Sequence, residues 1–488
     1  MSHETPSTQH ERRWLILAML GVAQLMVVLD ATIVNIALPS AQHALGFSND
    51  NRQWIVTAYA LAFGSLLLIG GRVGDLFGRK RALIAGLGGF AVMSAVAGFA
   101  QSFDVLVAAR ALQGAFGALL APSALSILTT TFSDPAERGK AFGIYGAIAG
   151  GGGAIGLLLG GVLTEYLDWR ATMFVNLAFA IPAALAAAVL LVNERSSVHS
   201  RLDLPGTLAG STGLFALVYG FANAETHSWG APLTLGMLAA SIVLLATFVV
   251  LQARGKHPLL PLRVILDRDR GGSYLAIGIT GAGMFGVFLF LTYYLQRTLG
   301  FSPIKTGLAF LPMMGAIVAT ATLISTIVLP RTGPRPLIPT GMVLASFAMV
   351  LLTHVGVSTG YASHVLPALL VMGVGMGLVF APAMATATGQ VAAHDAGVAS
   401  ALVNTMQQIG GSVGTALLST FAAAAATGFV SSHGGPSGRV LAGAAVHGYT
   451  TAFWWAAGTF AVGAVLTSVL LRSGVQEADP SAAPVLAH

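Results

Sequence analysis

Asp30 and Arg110 are the two residues of this chain whose chemistry is most at odds with their surroundings. Asp30 is a carboxylate within an apolar run from Trp14 to Leu38, and Arg110 is a guanidinium within another run at 105–131. On insertion scales a charge at the centre of such a run costs roughly 2.5–3.5 kcal/mol, so it calls for a use. Burial favours the neutral form of a carboxylic acid, and a neighbouring guanidinium favours its anion. A change in hydration or in the guanidinium distance then makes the acid take up and release a proton, which is what coupling to proton flow requires. A static ion pair that fixes helix packing is the other reading. At 1.5 Å of rise per residue, Asp30 lies about 12 Å inside Leu38 and Arg110 about 9 Å inside Asp104, depths at which the two could meet.

The remaining candidates are neutral. Asn35, Gln113, Asn176, Gln296, Asn404, Gln407 and Gln408 are amides in or beside apolar runs, and Met284 lies among Phe285, Phe288 and Phe290. Amides can orient a small molecule, and Met with Phe can form an adaptable apolar wall against it. Helix packing and internal hydrogen bonding are the plainer use of the same residues. No cysteine is present, so disulfides, thiol chemistry and Cys-based metal sites are excluded. No Walker loop occurs, and the Gly-rich stretch at 150–153 lies in an apolar run rather than after a strand. No enzyme, metal or cofactor is expected.

The elements that must position these residues are transmembrane helices. The chain has 488 residues, is 55% hydrophobic, only 9% charged, and contains 60 glycines, where a soluble domain carries about 25% charged residues. Apolar runs fall at 14–38, 53–71, 82–100, 105–131, 141–163, 173–192, 204–222, 233–251, 274–295, 306–329, 337–355, 365–385, 398–424 and 449–471. Each is read as a span, because about 20 helical residues cross a bilayer. An even number of spans puts both termini on one side. With that side cytoplasmic, 18 of the 24 Lys and Arg residues fall in inner loops and tails and five in outer segments, with Arg110 left inside a span. That imbalance predicts cytoplasmic termini. The net charge of +6 is thereby a topology signal, and nucleic acid is not an expected partner.

A faint internal repeat organises the spans. Leu45-Gly46-Phe47-Ser48 recurs as Leu299-Gly300-Phe301-Ser302, and Ala121-Pro122 as Ala381-Pro382. Gly139, Gly152, Gly153 and Gly156 recur 258 residues later as Gly397, Gly410, Gly411 and Gly414. Two six-helix copies are expected, with spans seven and eight inserted between them. The boundaries are an N-terminal tail at 1–13, a bundle at 14–195, a linker with two helices at 196–272, a second bundle at 273–472 and a disordered tail at 473–488. Repeats of this kind build transporters with the cargo site at their interface. The counterparts of Asp30 and Arg110 are Met284 and Leu370, so both buried charges belong to the first copy alone.

After the second span the chain reads Gly71-Arg72-Val73-Gly74-Asp75-Leu76-Phe77-Gly78-Arg79-Lys80. Here it resembles the major facilitator superfamily, whose signature between helices 2 and 3 is G-x-L-A-D-x-x-G-R-K. Leu29-Asp30-Ala31-Thr32-Ile33-Val34-Asn35-Ile36-Ala37-Leu38-Pro39 and Arg110-Ala111-Leu112-Gln113-Gly114 are similar to the first- and fourth-helix signatures of its fourteen-helix drug:proton antiporter family. The resemblance covers residues 14 to 471. It implies a major facilitator fold of fourteen helices, a conformational latch at Gly71, Asp75, Gly78, Arg79 and Lys80, and proton transfer at Asp30 and Arg110.

One departure stands out. The family's fifth-helix signature is G-x-x-x-G-P-x-x-G-G, and this chain supplies Gly152, Gly156, Gly160 and Gly161 but has Leu157 at the proline position. Glycines four apart allow close helix contact, which suits a gate and ordinary packing alike, while the missing proline removes an expected kink. The sequence expectation is therefore an all-α polytopic protein of the cell membrane that exports small amphipathic compounds against protons. A metabolite transporter working in either direction, or a non-transporting membrane sensor, are the alternatives on the same fold.

Overall fold

The computed structural model describes residues 6–48, 51–132, 135–192, 203–255, 258–389, 391, 396–433, 435 and 437–474, with only the backbone described at some positions, Asp75, Arg138 and Lys140 among them. Most of the expected tail at 473–488 lies outside the described residues, as do Arg195, Arg201 and Lys256.

The described residues form helices joined by turns and short loops, with no strand among them. Its helices are α1 (Pro6–Leu45), α2 (Trp54–Phe77), α3 (Arg79–Gly98), α4 (Phe103–Thr131), α5 (Pro135–Tyr166), α6 (Ala171–Leu190), α7 (Leu204–Thr226) and α8 (Pro232–Arg254), followed by the short α9 (Leu262–Leu266). Then come α10 (Arg268–Tyr293), α11 (Pro303–Leu323), the short α12 (Leu329–Thr332), α13 (Leu337–Leu352), α14 (Leu366–Thr388), α15 (Ala396–Ser432) and α16 (Gly438–Leu470). Wider π-type turns at Tyr294–Thr298, Ile324–Val328 and Tyr361–Val365 extend α10 and α11 and precede α14. Each predicted apolar run falls on one of the long helices. Among the described residues, eleven helices are long and apolar enough to cross a membrane, and Trp54–Leu67 and Leu337–Leu352 form shorter apolar stretches.

Helix ends follow local chemistry. Ser102, Asp267 and Ser437 each accept a hydrogen bond from a backbone N–H three residues on, opening α4, α10 and α16. Gly78 separates α2 from α3 at φ +96°, a backbone conformation that side chains disfavour. Gly46 and Gly300, matched in the repeat, take nearly the same left-handed φ of +67° and +65°.

Internal packing sorts the chain into two compact units. The first comprises Met1–Thr226, Gly230–Leu245 and Leu295–Phe310; the second comprises His227–Trp229, Ala246–Tyr294 and Leu311–His488. In the first, α1 packs on α5 and α6, α4 packs on α2 and α3, and α3 packs on α6. The second repeats the scheme, with α10 on α15 and α16, α14 on α13, and α13 on α16. Glycine makes the closest approaches in both. A Cβ on Gly114 of α4 would sit 2.2 Å from the Tyr59 carbonyl oxygen of α2, and one on Gly410 of α15 would sit 2.0 Å from the Gly278 carbonyl oxygen of α10. Within the first unit α7 also lies against α2, with the Trp54 and Tyr219 rings 5.8 Å apart.

Candidate functional site

Four helices of the first unit converge on Asp30. It sits midway along α1 and is fully buried, as is Arg110 on α4. Arg110 Nη1 reaches Asp30 Oδ2 at 2.6 Å, making a buried ion pair. The second carboxylate oxygen accepts from Gln113 Nε2 of α4 at 2.9 Å and from Asn176 Nδ2 of α6 at 2.7 Å. Ser94 of α3 ties those amides together, with its Oγ 2.6 Å from Gln113 Nε2 and 3.2 Å from Asn176 Nδ2.

Arg110 is held from further sides. Its Nε donates to the Ile55 carbonyl at 3.3 Å, and its Nη1 also donates to Gln113 Oε1 at 2.6 Å. The guanidinium carbon lies 4.4 Å from the centre of the Tyr59 ring, a cation–π contact worth about 2 kcal/mol when desolvated. The Tyr59 hydroxyl and Asn176 Oδ1 have no hydrogen-bond partner. One helical turn away, Val34, Leu38, Ile55, Leu106, Trp169 and Met173 line a partly open apolar gap of about 10 Å³.

This arrangement can do one kind of chemistry. Positive and negative charge cancel while the carboxylate is ionised, and three N–H donors aim at its two oxygens. Protonation removes the attraction to Arg110 and turns one acceptor into a donor. The guanidinium then keeps only the Ile55 carbonyl, Gln113 Oε1 and the Tyr59 face.

Neighbouring glycines shape what Asp30 is attached to. Cβ atoms placed on Gly152, Gly156 and Gly160 of α5 would meet α1 at Leu25, Thr32 and Ile33, at 3.1, 2.0 and 2.9 Å. The stretch of α1 that bears Asp30 is thus seated on α5. Gly161 faces Ile304 instead, within the same unit, and Leu157 is buried in a helix that runs unbroken from Pro135 to Tyr166.

The other expected residues are placed as follows. Gln113 and Asn176, expected as cargo candidates, have their amide N–H groups on Asp30 and Ser94. Asn35 donates to the Ala31 carbonyl of its own helix at 2.9 Å, and Gln296 to the Ile36 carbonyl at 3.0 Å. In the second unit, Met284 and Asn404 are half-buried. The Gln407 carbonyl packs on Gly281, and Gln408 Oε1 is buried without a partner. Of the residues expected to form a latch, Lys80 Nζ donates to the Ala188 and Leu191 carbonyls at 2.6 and 2.5 Å, fastening the start of α3 to the end of α6. Gly71 lies against Pro122 of α4, Arg79 is half-buried, and the side chain of Asp75 lies outside the described residues. Sequence reading missed Ser94 and Tyr59. Their one signal was a hydroxyl in an apolar stretch, which many helices carry.

Comparison with known proteins places the chain. The sequence pattern of the Major Facilitator Superfamily matches residues 20–415. A puromycin resistance protein of Streptomyces alboniger is 49% identical over 470 residues, 96% of this chain and 93% of that protein. A tetracenomycin C resistance and export protein of Streptomyces glaucescens is 34% identical, covering 86% of this chain and 77% of that one. A multidrug efflux pump of Mycolicibacterium smegmatis is 32% identical, covering 85% and 82%. Among solved structures, a POT family transporter aligns over 96% of this chain and 98% of its own with TM-score 0.70 at 14% identity.

Proposed function

This chain belongs to the Major Facilitator Superfamily, and on that premise we propose that it exports small amphipathic antibiotics such as puromycin in exchange for protons carried by Asp30. It is a multi-pass membrane transporter rather than an enzyme, and its relatives are antibiotic resistance and export proteins. The observation that carries the proton assignment is the fully buried Asp30–Arg110 pair at 2.6 Å. Nothing else in the described first unit combines a buried carboxylate with a ring of donors that protonation would disturb.

In the proposed cycle, ionised Asp30 holds α1 to α4 and α6 through Arg110, Gln113 and Asn176. Protonation loosens that hold, and α1 moves with α5 because Gly152, Gly156 and Gly160 seat one on the other. Cargo and proton are linked when each favours the conformation that releases the other. The latch at Gly71, Asp75, Gly78, Arg79 and Lys80, cargo contacts at Asn35, Met284, Gln296, Asn404, Gln407 and Gln408, cytoplasmic termini, and the division into bundles at 14–195 and 273–472 with an inserted linker belong to the same proposal.

Expression in an efflux-deficient host tests the cargo. Resistance to puromycin should rise by at least several-fold, and cells should accumulate less of it. Higher accumulation would identify an importer, and unchanged accumulation across a panel of amphipathic drugs would sink the export reading.

Tyr59 gives a separate test of the site. Tyr59→Phe retains a ring face and loses only a hydroxyl that has no partner, so export should stay within about twofold of wild type. Tyr59→Leu removes the cation–π contact, worth about 2 kcal/mol, and should lower pH-gradient-driven uptake into inverted vesicles by an order of magnitude. Equal effects of the two variants would refute the assigned role of the ring.

A further inference from the structure

Thr405, Gln408, Ser412, Thr415 and Ser419 recur along α15 at intervals of three and four, so they share one helix face. The face extends about 21 Å along the axis, roughly two thirds of the hydrocarbon thickness. Thr405, Ser412, Thr415 and Ser419 are each no more than 4% exposed. None of their hydroxyls has a hydrogen-bond partner, and neither has Gln408 Oε1.

Hydroxyls in an apolar helix ordinarily bond back to the carbonyl one turn earlier; single ones elsewhere, such as Thr57 and Ser273, also lack a partner, but α15 carries four on one face. Thr420, next in sequence to Ser419, bonds back at 2.8 Å, and Thr280 of α10 and Thr467 of α16 do so at 2.7 Å. A buried oxygen left unpaired costs about 1–3 kcal/mol, and a row of them is costly unless something else fills their hydrogen bonds for part of the cycle. The shared scaffold does not demand the row. At the repeat offset of 258, the matching positions of α5 are Ala147, Gly150, Ala154, Leu157 and Gly161. Nor does the row serve the α10 contact, which α15 makes through Gly410, Gly411 and Gly414 on another face.

We propose that this face of α15 is a wall of the cargo path and binds the neutral hydrogen-bonding groups of the exported compound, its hydroxyl, amide and carbonyl groups, with water taking their place when cargo is absent. The proposal rests on the export reading. It adds a row of uncharged oxygens for cargo in the second copy to the charge that serves the proton in the first.

The chain contains no cysteine, so single-cysteine variants can be labelled without background. Thr405→Cys, Ser412→Cys and Ser419→Cys are compared with Val403→Cys and Leu418→Cys, buried controls off this face, using a water-soluble maleimide on inverted vesicles carrying a pH gradient. The face positions should label at least tenfold faster than the controls, and puromycin should slow them several-fold. Labelling no faster than the controls, or unaffected by puromycin while puromycin is still exported, overturns the proposal. If the wild type exports another drug of the panel but not puromycin, that drug replaces puromycin in these assays; export of none overturns the export reading and this proposal with it.

A second variant guards against misfolding. Ser412→Ala combined with Thr415→Val removes two unpaired oxygens with little change of volume, so its melting temperature should equal or exceed wild type. Its KM for puromycin should rise at least fivefold. An unchanged KM refutes the proposal.

Discussion

Asp30→Asn is expected to abolish uphill export while leaving a folded protein that still equilibrates cargo down its gradient. The amide is close in shape to the carboxylate, so the hydrogen bonds from Gln113 and Asn176 can be partly kept. The charge is what goes. Arg110 is then a buried cation without its counter-ion, a situation that costs about 3–5 kcal/mol when one partner of a buried pair is removed. Its bonds to Ile55 and Gln113 and its seat on Tyr59 offset part of that cost. In liposomes with an imposed pH gradient, wild type should concentrate puromycin and the variant should not. Adding Arg110→Gln should recover thermal stability without recovering uphill transport, which separates the structural share of the pair from its coupling share. Normal pH-dependent accumulation by Asp30→Asn would refute the proton assignment.

Gly114→Ala should be the most damaging methyl group added near the site. The new Cβ would stand 2.2 Å from the Tyr59 carbonyl oxygen and 3.1 Å from the Phe63 nitrogen, backbone atoms that have no rotamer to escape into. α4 must then move off α2, and both supports that α2 gives Arg110, the Ile55 carbonyl and the Tyr59 ring, recede. Destabilisation of roughly 3 kcal/mol, the upper end of overpacking, should appear as a lower melting temperature together with lost export. Gly88→Ala is the matched control, since nothing lies within 4 Å of its added Cβ. Removing glycine from a helix interior there should gain about 0.5–1 kcal/mol. Similar melting temperatures for the two variants would show that the α2–α4 approach is looser than its geometry.

Much of this site was legible because bilayers make charge conspicuous. Asp30 and Arg110 stand out in apolar runs, their depths agree, and the repeat shows neither has a charged counterpart. The helices themselves were equally legible, since a long apolar run has few alternatives in hydrocarbon. Amides were harder to interpret. Gln113 and Asn176 could be read as cargo contacts or as internal hydrogen-bonding groups, and only the structure puts their N–H groups on Asp30, because an isolated polar residue in a helix does not reveal what it faces. Ser94 and Tyr59 carried no distinguishing pattern. The polar face of α15 was written in the sequence at helical spacing, but only Gln408 was singled out.

Readable from the chain alone were the helices, the family motifs, the duplicated order and the presence of one carboxylate and one guanidinium where water is scarce. Those are properties of single segments and their spacing, and local hydrophobicity and periodicity encode them. Tertiary structure alone decided that α3, α4 and α6 place Ser94, Arg110, Gln113 and Asn176 around one carboxylate, that Tyr59 lies under the guanidinium, and that four hydroxyls of α15 are buried without partners. The physical reason is that hydrogen-bond partners remote in the chain are chosen by how closely helices approach. That approach is set by backbone contacts at glycines such as Gly114 and Gly410, to which no pattern within one helix assigns a partner.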